Sequence, residues 1–194
     1  MSVDIFEIRE KLKNSLEIRR YSHSISVSYV AATLAMVYGV DIDKAMLAGL
    51  MHDCAKNIPI SEQIEICRNN NIYLDEYELS HTCVIHGKVG AYIAKEIYGV
   101  YDEDILNAIY NHVRGRVGMS LLEKIVFIAD YIEPERKNIS NLDVIRKMAY
   151  KNNNIDETIV LIYNSIIEYL KSKESVIDDF TINIVNYYRS KING

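Results

Sequence analysis

The histidines of this chain are concentrated in one part of the sequence, and one of them precedes a carboxylate. All five lie between positions 23 and 112, and the densest signal is the doublet His52-Asp53. Neighbouring side chains on a helix diverge by about 100°, so a doublet that serves one centre must lie at a helix end or contact a large site from two directions. A pair of metal ions is such a site. Imidazole and carboxylate ligands together suit iron, manganese or zinc.

Further ligands would have to come from several helices, because one helix face offers too few. The candidates are His23, either His81 or His86, His112 and Asp130. His81 and His86 are about 140° apart around a helix, so both are not expected to face one centre. A single histidine in an apolar stretch is more often a hydrogen-bonded core residue than a ligand. Asp130 favours the metal interpretation, because a carboxylate among apolar neighbours is costly to bury unless it binds a metal or, as the alternative, pairs with an arginine.

Basic residues flank these positions, although the chain carries a formal net charge of −5. Arg20 lies one helical turn before His23, and Lys56 lies one turn after Asp53, so both could project into the same cavity. Phosphate oxygens are the natural guest of such a cavity. The other basic residues near candidate ligands are Arg19, Lys88, Arg114, Arg116 and Arg136. We interpret Arg19 and Lys88 as solvated surface charges, which is the usual environment of these residue types.

Helices must position these residues. A chain of 194 residues is long enough for one domain with one core, and its 8 glycines and 2 prolines are too few for the turns of an all-β sandwich. Apolar residues recur at steps of three and four nearly throughout, which predicts an all-α fold of eight to ten helices. The predicted helix signals are N-caps at Ser2, Asp41 and Asp102, a stop at Gly39, a break near His81, and a capping box from Ser120 to Glu123.

We expect one domain over residues 1–194, with its chemistry in one part. The predicted metal-binding core spans about 17–136, and the helices predicted over about 137–194 contain no histidine. That C-terminal part is rich in tyrosine, which suits core packing, the option we favour, or the contact face of a homodimer. The acidic net charge argues against a general electrostatic grip on nucleic acid or on an anionic membrane.

The cysteines and one uncharged segment bear on the compartment. Cys54, Cys67 and Cys83 form no Cys-x-x-Cys pair, which favours a reducing compartment and a cytoplasmic protein and offers no structural zinc cluster. Residues 21–40 have no formal charge and the length of a bilayer span, but they include several serines and a histidine. We therefore interpret this segment as a buried helix and expect no membrane span.

Longer strings around the candidate ligands carry a resemblance. The strings are RYSH at 20–23, HDCAK at 52–56, HGKVGA at 86–91 and ADYIEPER at 129–136. The order of histidines and aspartates resembles the HD-domain phosphohydrolases, a helical superfamily named for its His-Asp doublet. Over nearly the whole chain, the strings are similar to the bacterial YqeK family of symmetrical diadenosine tetraphosphate hydrolases. The resemblance implies an all-α HD-domain bundle around a dinuclear metal site, cleavage of the dinucleotide to two ADP, and His86 rather than His81 as a ligand.

From this resemblance we hypothesise a role for each candidate residue. One divalent ion would be held by His23, His52, Asp53 and Asp130, and the second by His86 and His112, with Asp53 bridging the two. The family's metal is usually reported as iron, and manganese or another divalent ion would suit the same ligands. A hydroxide between the ions would attack phosphorus, with Asp53 and Lys56 as catalytic residues. Substrate phosphates would be bound by Lys56, Arg136 and one of Arg20 or Arg116.

One string departs from the family pattern. Where the family commonly has His-Thr-Thr-Gly-Arg-Pro, positions 112–117 read His-Val-Arg-Gly-Arg-Val, so two hydroxyls and a proline are missing and Arg114 is gained. This departure leaves the phosphate contacts and the substrate preference open.

Three alternative functions stay open at this point. The first is an HD-domain phosphohydrolase that acts on another nucleotide, either a nucleoside mono- or triphosphate or guanosine tetraphosphate. The second is a cyclic dinucleotide phosphodiesterase, which the absence of a Gly-Tyr-Pro signature disfavours. The third is a helical regulator without enzymatic activity, which the retention of every candidate ligand disfavours.

Overall fold

The computed structural model describes residues 4–137, 139–152 and 154–193. Most of these residues lie in helices, which are joined by turns and loops. Within these residues there are eleven α-helices: α1 Ile5–Ser15, α2 Ile18–Tyr38, α3 Ile42–Met51, α4 Ile60–Asn69, α5 Glu76–Ser80, α6 His86–Glu96, α7 Glu103–Asn111, α8 Leu121–Ile132, α9 Leu142–Ala149, α10 Ile155–Ser172 and α11 Asp179–Asn193. A 3₁₀ turn at Thr82–Val84 lies between α5 and α6.

The all-α class is confirmed, and the described part of the chain has one helix more than the ten predicted at most. The additional helix arises because the helical region around positions 76–98 is divided at His81, where the backbone (φ −123°, ψ 61°) leaves the helical conformation. The predicted break is therefore complete. It separates the short helix α5 from α6, whose first residue is a candidate ligand.

Several helices begin or end at the predicted local signals, although α3 ends at Met51, well before Pro59. Asp41 and Asp102 cap α3 and α7, and Ser120 forms the predicted capping box at the start of α8. Helix α2 ends at Gly39, whose φ of +71° lies in the left-handed region that glycine enters without strain. The predicted cap Ser2 lies outside the described residues, and α1 begins after Asp4, whose side chain accepts a hydrogen bond from the amide of Phe6.

The centre of the molecule is a group of four helices. Helix α3 packs on α2, α7 and α8, and α8 packs in turn on α2 and α7. Gly49 allows α3 to approach α2 closely, because a Cβ atom at this position would lie 3.0 Å from Ser28 Cα and 3.1 Å from the carbonyl oxygen of Val27. The close contact between α3 and α2 brings the C-terminal end of α3 beside the first turns of α2.

The uncharged segment at 21–40 is part of this core. Most of it lies in α2, where Val27, Ala31, Leu34 and Ala35 are fully buried. Of the helices described here, none combines the length and the apolar character that are needed to cross a membrane. The interpretation of the segment as a buried helix is confirmed.

The three C-terminal helices cover one side of the core. Helices α9 and α10 pack on α8, and α11 packs on α10. The tyrosines of this part are divided between two environments, because Tyr163 and Tyr188 are buried whereas Tyr150 and Tyr169 are exposed. Core packing, which the composition favoured, therefore accounts for only some of them.

Candidate metal centre

Each candidate ligand lies at or near a helix end, and these ends meet. His52 follows the last residue of α3, His112 follows the last residue of α7, and His86 is the first residue of α6. His23 lies in the second turn of α2, and Asp130 in the last turn of α8. Because α3 ends before the doublet, Asp53 lies in a turn and can face the same point as His52. Of the two arrangements that the doublet allowed, the structure has the helix end.

Asp53 lies at the middle of the cluster, and its two oxygens face different histidines. Its Oδ2 lies 3.3 Å from His52 Nε2 and 3.7 Å from His23 Nε2. Its Oδ1 lies 3.1 Å from His86 Nε2 and 3.7 Å from His112 Nε2. A carboxylate that presents one oxygen to each of two histidine pairs has the form of a ligand that bridges two ions.

Asp130 joins the cluster from the side of His23. Its Oδ1 lies 3.0 Å from His23 Nε2 and 3.8 Å from His52 Nε2. Among the described residues, two groups place their potential ligand atoms within 4.8 Å of one another: His23, His52 and Asp130, and His52, Asp53 and His112. His52 belongs to both groups, so the two halves of the centre meet at its ring and at Asp53.

The histidine rings are oriented by the backbone. The Nδ1 atoms of His52, His86 and His112 lie 2.7, 2.8 and 2.7 Å from the carbonyl oxygen three residues earlier in the chain. A carbonyl oxygen can only accept, so each Nδ1 carries a proton, and in the neutral form of each ring the lone pair of Nε2 faces the cluster. These lone pairs point toward carboxylate oxygens and other ring nitrogens. Such a group of acceptors is costly in a buried site unless a cation joins them, and the ligand set therefore fits a divalent metal.

The charges of the cluster depend on one another, and burial acts against each of them. Burial disfavours the charge on Asp53, yet the neighbouring rings of His52 and His112 hold the pKa of its carboxyl well below the usual range. Burial also disfavours a charge on His52, but Asp53 and Asp130 raise the pKa of its ring. At His86 burial dominates and lowers the pKa to about 4, so that this ring is neutral at pH 7 and free to act as a ligand.

Three basic side chains surround the cluster, as predicted for Arg20, Lys56 and Arg136. Arg20 Nη1 lies 2.6 Å from Asp53 Oδ2, and Arg136 Nη2 lies 2.6 Å from Asp130 Oδ1. Lys56 Nζ lies 3.2 and 3.3 Å from the two ring nitrogens of His86, and burial lowers its pKa. The ion pair that was the alternative explanation for Asp130 is therefore present together with its contact to His23.

The cluster opens to the surface through a mouth of about 540 Å³. Its lining includes His23, the partly exposed Arg20 and Arg136, and Arg19. Acidic and basic groups alternate around it, with the acidic side chains contributed by Glu17, Glu133 and Glu135. The guanidinium groups of Arg20 and Arg136 and the ring of His23 therefore border the same opening.

The structure keeps Arg116 and Arg114 apart from the cluster. Arg116 pairs with both carboxylate oxygens of Glu123, through Nε and Nη2 at 2.7 Å each. Arg114, gained in the string that departs from the family pattern, pairs with Asp75 at 2.7 Å and with Asp178. Of the two arginines considered as the third phosphate ligand, only Arg20 lies beside the candidate metal ligands.

Two sequence interpretations are settled by these contacts. His81 stacks on Tyr77 with 4.1 Å between ring centroids, so His86 joins the cluster and His81 does not. The interpretation of Lys88 as a solvated surface charge was wrong. Its side chain is only 13% exposed, and Nζ lies 2.6 Å from Glu78 Oε2 and 2.8 Å from the carbonyl oxygen of Tyr73. Sequence reasoning could not foresee this pair because its partners lie on α5 and on the preceding turn.

Glu133 is a site residue that sequence reasoning missed. Its side chain is 3% exposed, and Oε1 lies 3.5 Å from His23 Nδ1. The other carboxylate oxygen accepts a 2.8 Å hydrogen bond from the amide of Glu135. One signal could have identified it: Glu133 lies three residues after Asp130, on the same face at the end of α8.

Comparison with known proteins identifies relatives of this chain. A family model described as "HD domain" matches residues 20–135. The "Bis(5'-nucleosyl)-tetraphosphatase, symmetrical" of Staphylococcus aureus is 36% identical over 192 residues, which cover 96% of this chain and 95% of that protein. The protein of the same name from Bacillus subtilis is 38% identical over 169 residues, covering 87% of this chain and 89% of that protein.

A solved structure has the same fold over the whole domain. It is the crystal structure of a "predicted HD superfamily hydrolase involved in NAD metabolism" from Clostridium acetobutylicum, and it superposes on this chain with a TM-score of 0.91. The two sequences are 39% identical, and the superposition covers 97% of this chain and 98% of the other.

Proposed function

This chain belongs to the HD domain family and, through relatives that match nearly its whole length, to the symmetrical bis(5'-nucleosyl)-tetraphosphatases; from that membership we propose how its residues perform the reaction. The protein hydrolyses diadenosine tetraphosphate symmetrically to two molecules of ADP. The observation that carries this function at the level of the site is the convergence of four histidine Nε2 atoms on the two oxygens of Asp53.

The reaction depends on divalent metal, and the ligands follow from the cluster. Asp53 would hold the metal together with His23, His52, His86, His112 and Asp130. Iron is the first candidate and manganese the second, since nitrogen and oxygen ligands without thiolate suit both. When bound, the two ions act as Lewis acids toward phosphoryl oxygens and make a water molecule nucleophilic near neutral pH.

Arg20 and Arg136 bind the polyphosphate. Each guanidinium lies 2.6 Å from a ligand carboxylate and also borders the mouth. A guanidinium fork suits two phosphate oxygens as well as it suits a carboxylate, so both arginines can turn to phosphates that enter the mouth. Arg116 is a weaker candidate because Glu123 already occupies its fork.

Lys56 acts deeper in the site. Its Nζ lies beside the ring of His86 and is partly withdrawn from solvent, and this burial lowers its pKa. A positive charge in this place offsets negative charge that develops on the phosphoryl group under attack, and in a buried site that contribution is large. Asp53 and Lys56 are therefore the residues assigned to catalysis.

The test is product analysis after incubation of the metal-loaded protein with diadenosine tetraphosphate. ADP as the sole nucleotide product is expected, whereas ATP together with AMP would contradict symmetrical cleavage. Asp53→Asn and His52→Ala should abolish turnover and keep the helical content. Asp143→Asn serves as the control, because that carboxylate is 90% exposed on α9. Turnover retained in both site variants would overturn the assignment.

The same assay addresses the other nucleotides considered from the sequence. Nucleoside mono- and triphosphates and guanosine tetraphosphate should be cleaved more slowly than diadenosine tetraphosphate at equal concentration. Faster release of product from any of these would make that nucleotide the substrate, with the same metal ligands.

We also propose that the protein works in a reducing compartment and forms a homodimer. Cys54, Cys67 and Cys83 are free thiols, which supports a reducing compartment such as the cytoplasm. A homodimer would use exposed aromatic surface of the C-terminal helices, where Tyr150 and Tyr169 lie. Sedimentation velocity at several concentrations would test the dimer directly.

A further inference from the structure

A groove of about 560 Å³ lies beside the metal centre and shares a side chain with its mouth. Its walls come from the end of α8, from the segment that follows, and from α10, and include Tyr131, Ile139, Ile166 and Tyr169. Arg136 belongs to the lining of this groove and also to that of the mouth. The groove and the candidate metal centre therefore adjoin at the guanidinium that contacts Asp130.

Helix geometry explains why the two sites adjoin. Asp130 and Tyr131 are consecutive residues of α8, and consecutive side chains on a helix diverge by about 100°. One of them faces the histidine cluster, and the other lines the groove. A single helical turn thus forms part of both walls.

The lining of the groove is of the kind that accepts a nucleoside. The side chains of Ile139 and Ile166 are apolar, and Tyr169 is 61% exposed. Lys173 Nζ lies over the Tyr169 ring, 5.9 Å from its centroid, so a planar group would stack on the other face of the ring. Glu168 also lines the groove, and its carboxylate can accept hydrogen bonds from ribose hydroxyls or from an amino group of a base. The volume lies within the range of small-molecule sites, about 300–1,000 Å³.

Size alone does not single out this groove. A second one of about 550 Å³ includes Tyr101, Lys44 and Asp102 in its lining. Within the described residues its lining has none in common with the mouth, and Lys44 is paired with Asp102 at 2.8 Å. The second groove therefore provides a comparison in which an equally exposed tyrosine has no connection to the metal centre.

We propose that the groove between α8 and α10 binds one nucleoside of the dinucleotide, with its base against Tyr169 and its phosphates passing Arg136 toward the histidine cluster. The proposal rests on the proposed function for the nature of the substrate. One consequence concerns the product: ADP retains both a nucleoside and a diphosphate, so it should occupy the groove and the mouth together and compete with the substrate.

Binding measurements with two ligands test this assignment. The affinities of metal-loaded protein for ADP and for inorganic pyrophosphate are measured by calorimetry in the wild type, Tyr169→Ala and Tyr101→Ala. Removal of one base stack should weaken ADP binding about tenfold in Tyr169→Ala, while pyrophosphate, which has no base, should bind as before. Tyr101→Ala should match the wild type with both ligands, because Tyr101 is 71% exposed in the second groove. Tyr169→Phe, which retains the ring, should restore ADP affinity.

Two results would overturn the proposal. The first is unchanged ADP affinity in Tyr169→Ala; if the sedimentation coefficient of this variant also changes, the groove is a contact between two copies of the chain. The second is an equal loss of affinity for ADP and for pyrophosphate, which would place the effect at the phosphates.

The groove and the proposed reaction can fail separately. If diadenosine tetraphosphate is not cleaved but ADP binding depends on the Tyr169 ring, the groove is a nucleoside site and the reaction is wrong. If the dinucleotide is cleaved to ADP, and Tyr169→Ala changes neither ADP affinity nor KM, the reaction stands and the groove assignment is wrong.

Discussion

The hydroxyl group of Tyr163 donates a 2.6 Å hydrogen bond to the carbonyl oxygen of Arg114, two residues after His112. Tyr188 acts on the same segment, since its hydroxyl donates to the carbonyl oxygen of Arg116 and accepts a 2.9 Å bond from the amide of Met119. Both tyrosines belong to the C-terminal helices, which carry no histidine. These helices therefore hold in place the segment that follows a candidate ligand.

Arg114 links the same segment to two further elements, and its loss should destabilise the fold. The guanidinium pairs with Asp75 and Asp178 while only 13% exposed, and its planar group lies over the rings of Tyr77 and Phe180. Arg114→Ala leaves two partly buried carboxylates without their partner, so we expect a loss of about 2–4 kcal/mol in the free energy of unfolding. Urea titration measures this loss.

Arg189→Ala is the control for Arg114→Ala. Arg189 donates to Asn164 at an exposed position between α11 and α10, and its removal should change the free energy of unfolding by less than about 0.5 kcal/mol. Pyrophosphate affinity should be the same in both variants and in the wild type, since Arg114 faces carboxylates outside the mouth. A loss of phosphate affinity in Arg114→Ala with unchanged stability would show that this arginine is a substrate ligand.

Glu133 should orient His23. A carboxylate opposite the second nitrogen of a metal-binding histidine holds the ring and raises its basicity, and removal of such a partner typically weakens metal affinity by about 10–100-fold. Glu133→Gln keeps the size of the side chain and removes its charge. Chelator competition should therefore reveal weaker metal binding in this variant, whereas Glu135→Gln, at an exposed position two residues later, should match the wild type. Equal affinity in both variants would exclude this role.

Gly49 couples helix packing to the orientation of His52. A Cβ at this position would meet backbone atoms of α2, which cannot move away as a flexible side chain could, and the carbonyl oxygen of Gly49 is the acceptor for His52 Nδ1. Gly49→Ala should reduce the free energy of unfolding by about 1–3 kcal/mol and also weaken metal binding.

Gly39→Ala separates the two effects expected for Gly49→Ala. Gly39 has a φ of +71°, and a Cβ added there would meet no atom within 4 Å, so alanine should cost about 1–2 kcal/mol through backbone strain alone. Metal affinity should stay at the wild-type value. If Gly49→Ala lowers stability but binds metal as tightly as Gly39→Ala, the packing of α3 does not position His52.

The three cysteines should differ in reactivity. Burial raises the pKa of Cys54 to about 12 and also raises the pKa of Cys67, whereas Cys83 is exposed. Because only the thiolate reacts, Ellman's reagent at pH 8 should modify one thiol rapidly in the folded protein and three after unfolding. Cys83→Ala should remove the rapid phase. A second rapid thiol in that variant would mean that Cys54 or Cys67 is accessible.

The raised pKa of Cys54 also predicts a pH dependence of stability. In the unfolded chain a thiol ionises near pH 8.5, whereas in the folded protein it keeps its proton to about pH 12. This contribution to stability is complete below about pH 8.5 and is lost as the pH rises toward 12, by about 1.4 kcal/mol per pH unit. In Cys54→Ala, the free energy of unfolding should fall less steeply between pH 8.5 and 10 than in the wild type.

Much of the fold could be predicted because its signals are local. These signals are the caps at Asp41 and Asp102, the capping box at Ser120 and the stop at Gly39. Each acts within one helical turn, so the amino-acid sequence is enough to recognise it. The doublet His52-Asp53 is visible as a pattern too, but its position at the end of α3 became clear only in the structure. The region 76–98 was predicted less completely, because how far the chain unwinds at His81 depends on how α6 packs on α7 and α4.

The sequence by itself determined which residue types could bind metal and that each would lie on or next to a helix. Only the tertiary structure decided which charges meet. Lys88 pairs with Glu78, Arg116 with Glu123 and Arg114 with Asp178, and Glu133 reaches His23 across the space between two helices. A long charged side chain can reach several possible partners from different parts of the chain. Which partner it pairs with depends on which helix faces pack together. Periodicity predicts that a face is buried, but the partner of that face follows from the packing of the whole domain.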